Sequence, residues 1–438
     1  MSDEPIRPDY KRTEATEIPE DWERRPISSF SGFITKGATP TTYGFRWQPD
    51  GVLFLRSECV SEHGLDLSQA MFISPSAHVA LLRGEVKSGD ILITITGNVG
   101  RVVHLRANFG YANINQHIAR IRINAPEVLS EYVYHWLSRR PVRVYYLSIT
   151  TGQAYPQISL QQVRDTLVPI PSLPEQVAIA ETLSDVDALL DALDRLIAKK
   201  RAVKQGAMQA LLTGGVRLPG FAGTWEYARL GDLGKCLRGV SYKGETDLFP
   251  YDTPESIRLL RANNLQNASL DLSDLQYVNR KCVSTQQVLH TDDIVICMAN
   301  GSKDLVGKTA RFDVEDAHDY TYGAFMGCFR VMSEQALPLF ISLLLQGPAY
   351  QNHIFDLIAG SSINNLKPSD IESVQFQIPP ISEQAAIAEV LSDMDAEIDA
   401  LEKRRAKLRD MKHGMMQELL TGRIRLVQPK EQTKEAHV

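Results

Sequence analysis

The chain has 438 residues, more than one hydrophobic core usually organises, so two or more folding units are expected. With 43% hydrophobic and 23% charged residues it has the makeup of a globular protein, and its net charge of −6 lacks the basic excess of a free-standing polyanion binder. The five cysteines (Cys59, Cys236, Cys282, Cys297, Cys328) are odd in number and widely spaced with no Cys-x-x-Cys pair, which argues against a disulfide framework and a thiolate zinc site.

From the N-terminus, Met1-Ser-Asp-Glu-Pro has no apolar core of the kind a secretory signal needs. The longest apolar runs fall far short of the ~20 residues a bilayer requires, so no membrane span and a cytoplasmic location are expected. Residues 1–169 read as a first module: short β-rich runs at Val52 to Leu55, Ile91 to Ile95 and Ala119 to Ile123, broken by turn residues, and one helical pattern from Ser130 to Leu147. Residues 170–217 follow as a long helix, with prolines at 169, 171 and 174 before its start and Gly214 where a C-cap glycine belongs. Residues 218–377 form a second module, with strands at Ile294 to Cys297 and Cys328 to Val331 and a helical pattern from Ala336 to Ile358. Residues 378–426 repeat the long helix up to Gly422, and the Lys-, Glu- and Gln-rich tail 427–438 reads as disordered.

Ile170 to Leu218 aligns with Ile378 to Leu426 without a gap, and 29 of the 49 positions are identical, so the chain is an internal duplication. Both copies read Ile-Pro-x-x-x-Glu-Gln at the entry (Glu175, Gln176; Glu383, Gln384) and Leu-Leu-Thr-Gly at the exit. Between them Ile179, Leu183, Val186, Leu190, Leu193 and Ile197 alternate spacings of four and three, as do Ile387, Leu391, Met394, Ile398 and Leu401. That is a heptad seam, and its natural complement is the seam of the other copy. Length permits either orientation; an antiparallel coiled coil would place one module at each end. Arg405 replaces Ile197 in the second seam. The expected fold is therefore α+β: two modules of twisted, mainly antiparallel sheet plus helices, separated by two long paired helices in a pseudo-two-fold duplication.

Outside the helices the repeat is fainter. Trp22-Glu23 answers Trp225-Glu226, Phe54-Leu-Arg56 answers Leu259-Leu-Arg261, and Asp90-Ile-Leu-Ile answers Asp293-Ile-Val-Ile. Taken with the Gly97-Asn-Val-Gly100 turn and the Asn115-Gln116 pair, this order of motifs resembles the specificity-subunit family of type I restriction-modification systems. The resemblance implies two target-recognition domains that each read one half of an interrupted double-stranded DNA site. It also implies helices that set the spacing and dock two methyltransferase subunits, with restriction subunits as further partners. The chain itself would then be no enzyme and hold no cofactor; S-adenosylmethionine and adenine methylation would belong to the partners. The alternative is a coiled-coil scaffold whose modules bind proteins rather than DNA.

An asymmetric two-part site needs two different readers on one scaffold, because base edges are told apart by the side chains presented to them. Polar, Gly-rich loops supply the candidates. In the first module these are Lys36, Thr39, Thr41, Thr42, Tyr43, Arg46, Arg56, Asn98, Asn113, Asn115, Gln116, Gln153 and Tyr155. In the second they are Arg238, Lys243, Arg261, Asn263, Asn264, Lys303, Lys308, Tyr320, Tyr322, Ser361, Asn364 and Asn365. Arg and Lys suit guanine, Asn and Gln suit adenine, and Tyr can stack or reach phosphate. Glu175, Gln176, Glu383, Gln384 and the seam residues are the candidates for coiled-coil and partner contacts. Residues 219–375 hold 13 basic against 19 acidic side chains, so phosphate neutralisation is expected to come largely from partner subunits.

Two motifs imitate catalysis. Gly301 to Thr309 resembles a phosphate loop, but five residues separate its glycines where that motif has four. Asp50 with Glu85 and Lys87 imitates a metal-dependent nuclease, yet both carboxylates sit beside turn glycines and have no second-copy equivalent. No metal-ligand or catalytic residue is assigned.

Overall fold

The computed structural model describes residues 10–12, 17–62, 64–106, 112–152, 154–266, 268–359 and 364–427. Proline and glycine set the limits of its two dominant elements, helices at Leu173–Leu212 (40 residues) and Ile381–Leu419 (39 residues). Each is about 60 Å long at 1.5 Å per residue. Gly214 and Gly422 follow with φ of +69° and +70°, a left-handed turn that a β-carbon would disfavour. The amides of Val216 and Ile424 then donate back to the carbonyls of Ala210 (3.1 Å) and Glu418 (3.2 Å) in the last helical turns.

Contacts divide the chain into two units. One comprises residues up to Asp194 together with those from Arg404 onward; the other is Arg195–Lys403. The division cuts each long helix in two rather than setting helices apart from modules. Charge explains which halves meet. Residues 173–194 carry six acidic and no basic side chains, and 404–419 carry five basic and two acidic. In the first unit these halves pair, with Lys412 Nζ 2.5 Å from Asp187 and Arg405 Nη1 2.5 Å from Asp194. Residues 195–212 are purely basic, and 381–403 hold seven acidic side chains and one lysine. In the second unit Lys200 meets Glu397 at 2.7 Å, Arg201 meets Glu402 at 2.5 Å, and Lys204 meets Asp395. The pairing is antiparallel; a parallel pair would set acid against acid and base against base. Exposed pairs contribute only about 0–1 kcal/mol each, so they select direction more than they stabilise. Ile179 and Leu183 are fully buried with Met416 and Leu419 and also join the core of the first module, while Ile387 and Leu391 do the same in the second. The first turns of each seam thus belong to a globular core as well as to the helix pair.

The first unit contains two four-stranded sheets. One runs Phe33–Lys36, Ile118–Arg122, Ile91–Thr94, Val102–His104, wholly antiparallel. The other runs Met71–Ile73, Val52–Leu55, Ala112–Ile114, Glu85–Val86, with its central pair parallel. The second unit repeats the first sheet as Gly234–Arg238, Met326–Val331, Ile294–Cys297, Thr309–Arg311. It repeats the parallel pair as Ser256–Leu260 beside Tyr320–Tyr322, but adds Leu248–Phe249 at the opposite edge. Strands Glu23–Pro26 and Leu167–Ile170, and their equivalents Glu226–Arg229 and Gln375–Ile378, pair where each module enters and leaves.

Each helical pattern expected as one helix is two. The first breaks into Ser130–Leu137 and Arg140–Ser148, the second into Pro338–Leu344 and Pro348–Ala359. Pro141 and Pro348 lack an amide hydrogen and clash with the preceding turn, so they can open a helix but not continue one.

At equivalent points the two units differ in polarity. His135 is fully buried in the first unit, its Nε2 3.1 Å from Ser184 Oγ, which donates to Glu131 at 2.7 Å and accepts from Arg106 at 2.9 Å. Burial pushes the imidazole down to about 3, and the charges of Lys412 and Arg106 add to the effect. Counting from Leu129 and Leu337, which hold matching places, the second unit has Leu343 there, buried in its apolar core.

Candidate functional site

In both units four loops converge at one end of the sheets, and two of the three backbone hydrogen bonds that join them match. In the first unit Gly37 N–H donates to Asn115 O (3.1 Å), Ile95 N–H to His117 O (2.9 Å) and Ile158 N–H to Ile95 O (3.0 Å). In the second, Met298 N–H to Phe325 O (2.9 Å) and Leu366 N–H to Met298 O (2.8 Å) repeat the last two, whereas Gly239 N–H donates to Met326 O (3.1 Å), three residues beyond the equivalent of Asn115. The shared backbone fixes the turn 115–117 and its counterpart 323–325 beside the loops at 37–43 and 239–243, 96–98 and 299–301, and 154–157 and 364–366. Side chains at these points are free to differ.

The framework below the loops is repeated in its polar contacts. Asp90 and Asp293 are buried carboxylates gripped bidentately by Arg122 (2.7 and 2.7 Å) and Arg330 (2.7 and 2.5 Å). These hydrogen bonds raise the pKa of both guanidinium groups. The aspartate of the Gly-Asp-Ile-Leu-Ile motif therefore ties neighbouring strands together. Glu175 and Glu383 are likewise buried. Glu175 takes Arg425 (2.5 and 2.8 Å) and the Trp22 indole N–H (3.3 Å); Glu383 takes Arg217 (2.5 and 2.6 Å) and the Trp225 indole N–H (3.3 Å). Gln176 and Gln384 accept from the Leu129 and Leu337 amides at 2.8 Å and donate to backbone carbonyls on either side. These four side chains are satisfied inside their own units. This corrects their assignment as partner contacts, since a buried, fully bonded group presents nothing to another subunit.

Of the expected DNA contacts in the first unit, Lys36 is exposed at the end of its strand, and Thr41, Thr42, Tyr43, Arg46, Asn98 and Tyr155 are exposed beyond the strands. Thr39 and Gln116 are half-buried and hydrogen-bonded to each other, joining two of the loops. Gly97 N–H donates to Pro156 O at 2.9 Å, which brings the Asn98 turn beside Tyr155. Arg56 is drawn to Gln69 O (3.3 Å) and Glu58 (3.8 Å). Asn113 and Asn115 are corrections. Asn113 is fully buried, with its amide spent on His78 and Leu81, and Asn115 holds the His117 amide at 3.1 Å. Gln153 and Ser361 lie outside the described residues.

In the second unit Arg261, Asn263, Asn364 and Asn365 line one groove of about 1030 Å³ with Tyr242, Asn300 and Phe325. Lys303 and Lys308 line a separate cleft of about 640 Å³ beside Tyr350 and Phe355. Arg238 and Lys243 are exposed and border neither, and Arg238 donates to Leu366 O at 3.3 Å. Asn264, Tyr320 and Tyr322 are buried and support strands, which removes them as contacts: Asn264 closes a turn through Arg261 N–H and Asp271 O, and Tyr320 bonds Arg258 and Asp316. The Gly301–Thr309 segment leads into the strand Thr309–Arg311, where a phosphate loop would lead into a helix.

Reasoning from the sequence missed Asn300 and Phe325. The signal was available, because the repeat that highlights Asn115-Gln116 in the first copy points to Gly323-Ala324-Phe325 in the second. Among the described residues no helix is long and apolar enough to cross a membrane.

The model of the type I restriction modification DNA specificity domain matches twice, over residues 19–200 and 222–409. The EcoKI specificity subunit of Escherichia coli (strain K12) is 34% identical over 200 residues, 46% of this chain and 42% of that protein. The match thus spans less than half of that relative. The MjaVIII specificity subunit of Methanocaldococcus jannaschii is 23% identical over 434 residues, covering 95% of this chain and 96% of its own. Among solved structures, the type I restriction-modification S subunit from M. genitalium superposes with a TM-score of 0.57 at 16% identity, covering 94% of this chain and 99% of that one. A chain from a study of complex assembly and conformational transition of the type I R-M system gives 0.54 at 16% identity, with 93% and 99% coverage. At such identity the structural likeness speaks to fold alone.

Proposed function

The chain belongs to the type I restriction-modification DNA specificity family, and on that premise we propose that it is the non-catalytic reader of a bipartite, interrupted DNA sequence. One observation carries the reading: two modules hold four converging loops with largely matching backbone hydrogen bonds yet present different side chains there. A duplicated scaffold with divergent tips is what reading two unlike half-sites requires, because specificity lies in the groups offered to base edges and not in the fold that holds them. The antiparallel helices join the readers, and the partners they dock are two methyltransferase subunits, with restriction subunits as an additional layer. Adenine methylation with S-adenosylmethionine, and any cleavage, are the partners' chemistry.

Phosphate binding fits the same division of labour. In the second module many guanidinium groups are already neutralised: Arg258 by Asp252 and Asp316 (2.9 Å each), Arg261 by Asp274 (2.9 Å), Arg280 by Asp319 (2.6 Å), Arg311 by Asp292 (2.6 Å). Counter-charge for the DNA backbone must then come mainly from elsewhere in the assembly. The test is a module exchange. Residues 218–377 are replaced by those of a relative with a different site, and the sequence bound by the assembled complex is selected from random duplexes. The proposal expects one half of the motif to change while the other stays. Selection of no motif by the unaltered complex would instead favour the protein-scaffold reading.

A further inference from the structure

The groove of the second unit has a chemistry that narrows what it can read. Guanine is read best by a free arginine fork or lysine ammonium. Here Arg261, the one guanidinium among the described residues that line the groove, is held by the Asp274 carboxylate (2.9 Å) and carbonyl (3.3 Å). Nearby Arg238 leans on Leu366 O, Lys243 next to Tyr242 does not line the groove, and Lys303 and Lys308 line the other cleft. What remains is amide and aromatic. The side chains of Asn364 and Asn365 have no partner among the described residues, and Asn300 uses only its oxygen, on the Ser302 amide at 2.9 Å.

Phe325 lines the same groove and is 71% exposed. Its exposure does not reflect a loose loop. Its carbonyl accepts from both Met298 N–H (2.9 Å) and Ala299 N–H (3.0 Å), and the turn is closed by Met326 N–H to Gly323 O at 2.8 Å. Gly239 packs so tightly below that a β-carbon there would lie 2.0 Å from the Gly323 oxygen. A large apolar ring held in water on a fixed backbone loses hydration cost when covered, with little backbone ordering left to oppose contact.

Resting on the DNA-reading proposal above, we propose that the second unit reads A·T base pairs in the major groove, with Phe325 packed on a thymine methyl and the neighbouring asparagine amides on adenine. An A·T pair offers just these features, the adenine N6/N7 edge to an amide and the C5-methyl to an apolar side chain. The corresponding turn of the first unit carries Gln116 and His117, hydrogen-bonded at 3.0 Å, so the same scaffold position there is polar and reads by other means.

The experiment uses the full chain assembled with its methyltransferase partner. The probes are duplexes bearing the methylated motif, with thymines in the second-module half-site replaced singly by deoxyuridine, which removes only the methyl group. At one position the replacement weakens binding by the wild type about fourfold, the value of one buried methyl-sized group. The F325A variant binds the thymine duplex about as weakly and no longer distinguishes the two duplexes, whereas F325L keeps part of the discrimination. Because the ring is mostly exposed, truncation removes little core packing, and an unchanged melting temperature verifies this. No effect of deoxyuridine at any thymine of the half-site, or deoxyuridine effects identical in wild type and F325A, overturns the inference while leaving DNA reading intact. No preference of the wild-type assembly for the motif over a scrambled duplex overturns both.

Discussion

Lowering the pH from 8 to 5 should destabilise the first unit through His135, and replacing that residue by leucine should remove this part of the effect. In the unfolded chain the imidazole takes up a proton near 6.5; in the fold burial lowers its pKa to about 3. The unfolded state therefore binds more protons below pH 6.5, so the stability present at neutral and alkaline pH falls as pH drops from 6.5 towards 3. At pH 5 the loss is about 2 kcal/mol, from RT times the logarithm of the ratio of the two binding polynomials. His104, whose pKa burial also lowers, adds in the same direction. Leucine is the informative replacement because Leu343 occupies the matching place in the second unit. Urea midpoints of wild type and H135L, followed by near-ultraviolet circular dichroism at pH 8, 6.5 and 5, give the difference directly. Equal losses in both proteins between pH 8 and 5 would refute the reasoning.

Further consequences concern the frame and the charge. Glu175→Ala should cost about 2–3 kcal/mol by chemical denaturation, below the range for a fully buried pair because Arg425 keeps Asp21 at 2.8 Å; a cost under half of that would show the buried carboxylate to be dispensable. Asp187→Lys and Lys412→Asp should each cost about 1 kcal/mol of stability, seen as a lowered thermal midpoint, and restore it in combination; additive losses would contradict the pairing. The isolated chain should bind DNA weakly, with affinity falling steeply as salt rises, and gain affinity on adding the partner methyltransferase; tight specific binding by the chain alone at physiological salt would refute that division of charge.

Much of this architecture is legible in the sequence because it is written twice. Identity at 29 of 49 positions reveals the duplication, and the alternating apolar spacing reveals the paired helices. The antiparallel direction was also present in the sequence, in the switch from acidic to basic near residues 194 and 403, but becomes compelling only when Asp187 is seen against Lys412 and Lys200 against Glu397. Local pattern could not show where polar groups are consumed. Asn113, Glu175 and Gln176 look like contact residues because their type is polar, yet each is buried with its bonds satisfied by partners distant in sequence. Conversely Phe325 looks like core and stands in solvent, since only the turn geometry decides which way that side chain leaves the sheet. The helix breaks at Pro141 and Pro348 follow from covalent geometry, which the long apolar patterns around them obscured.

The most direct test of the central claim is a genome-wide map of methylated adenines in cells carrying the partner methyltransferase, with and without this chain. The account predicts an interrupted, asymmetric motif that is methylated only when the chain is present. Identical maps, with the methyltransferase verified as active and co-expressed, would contradict it.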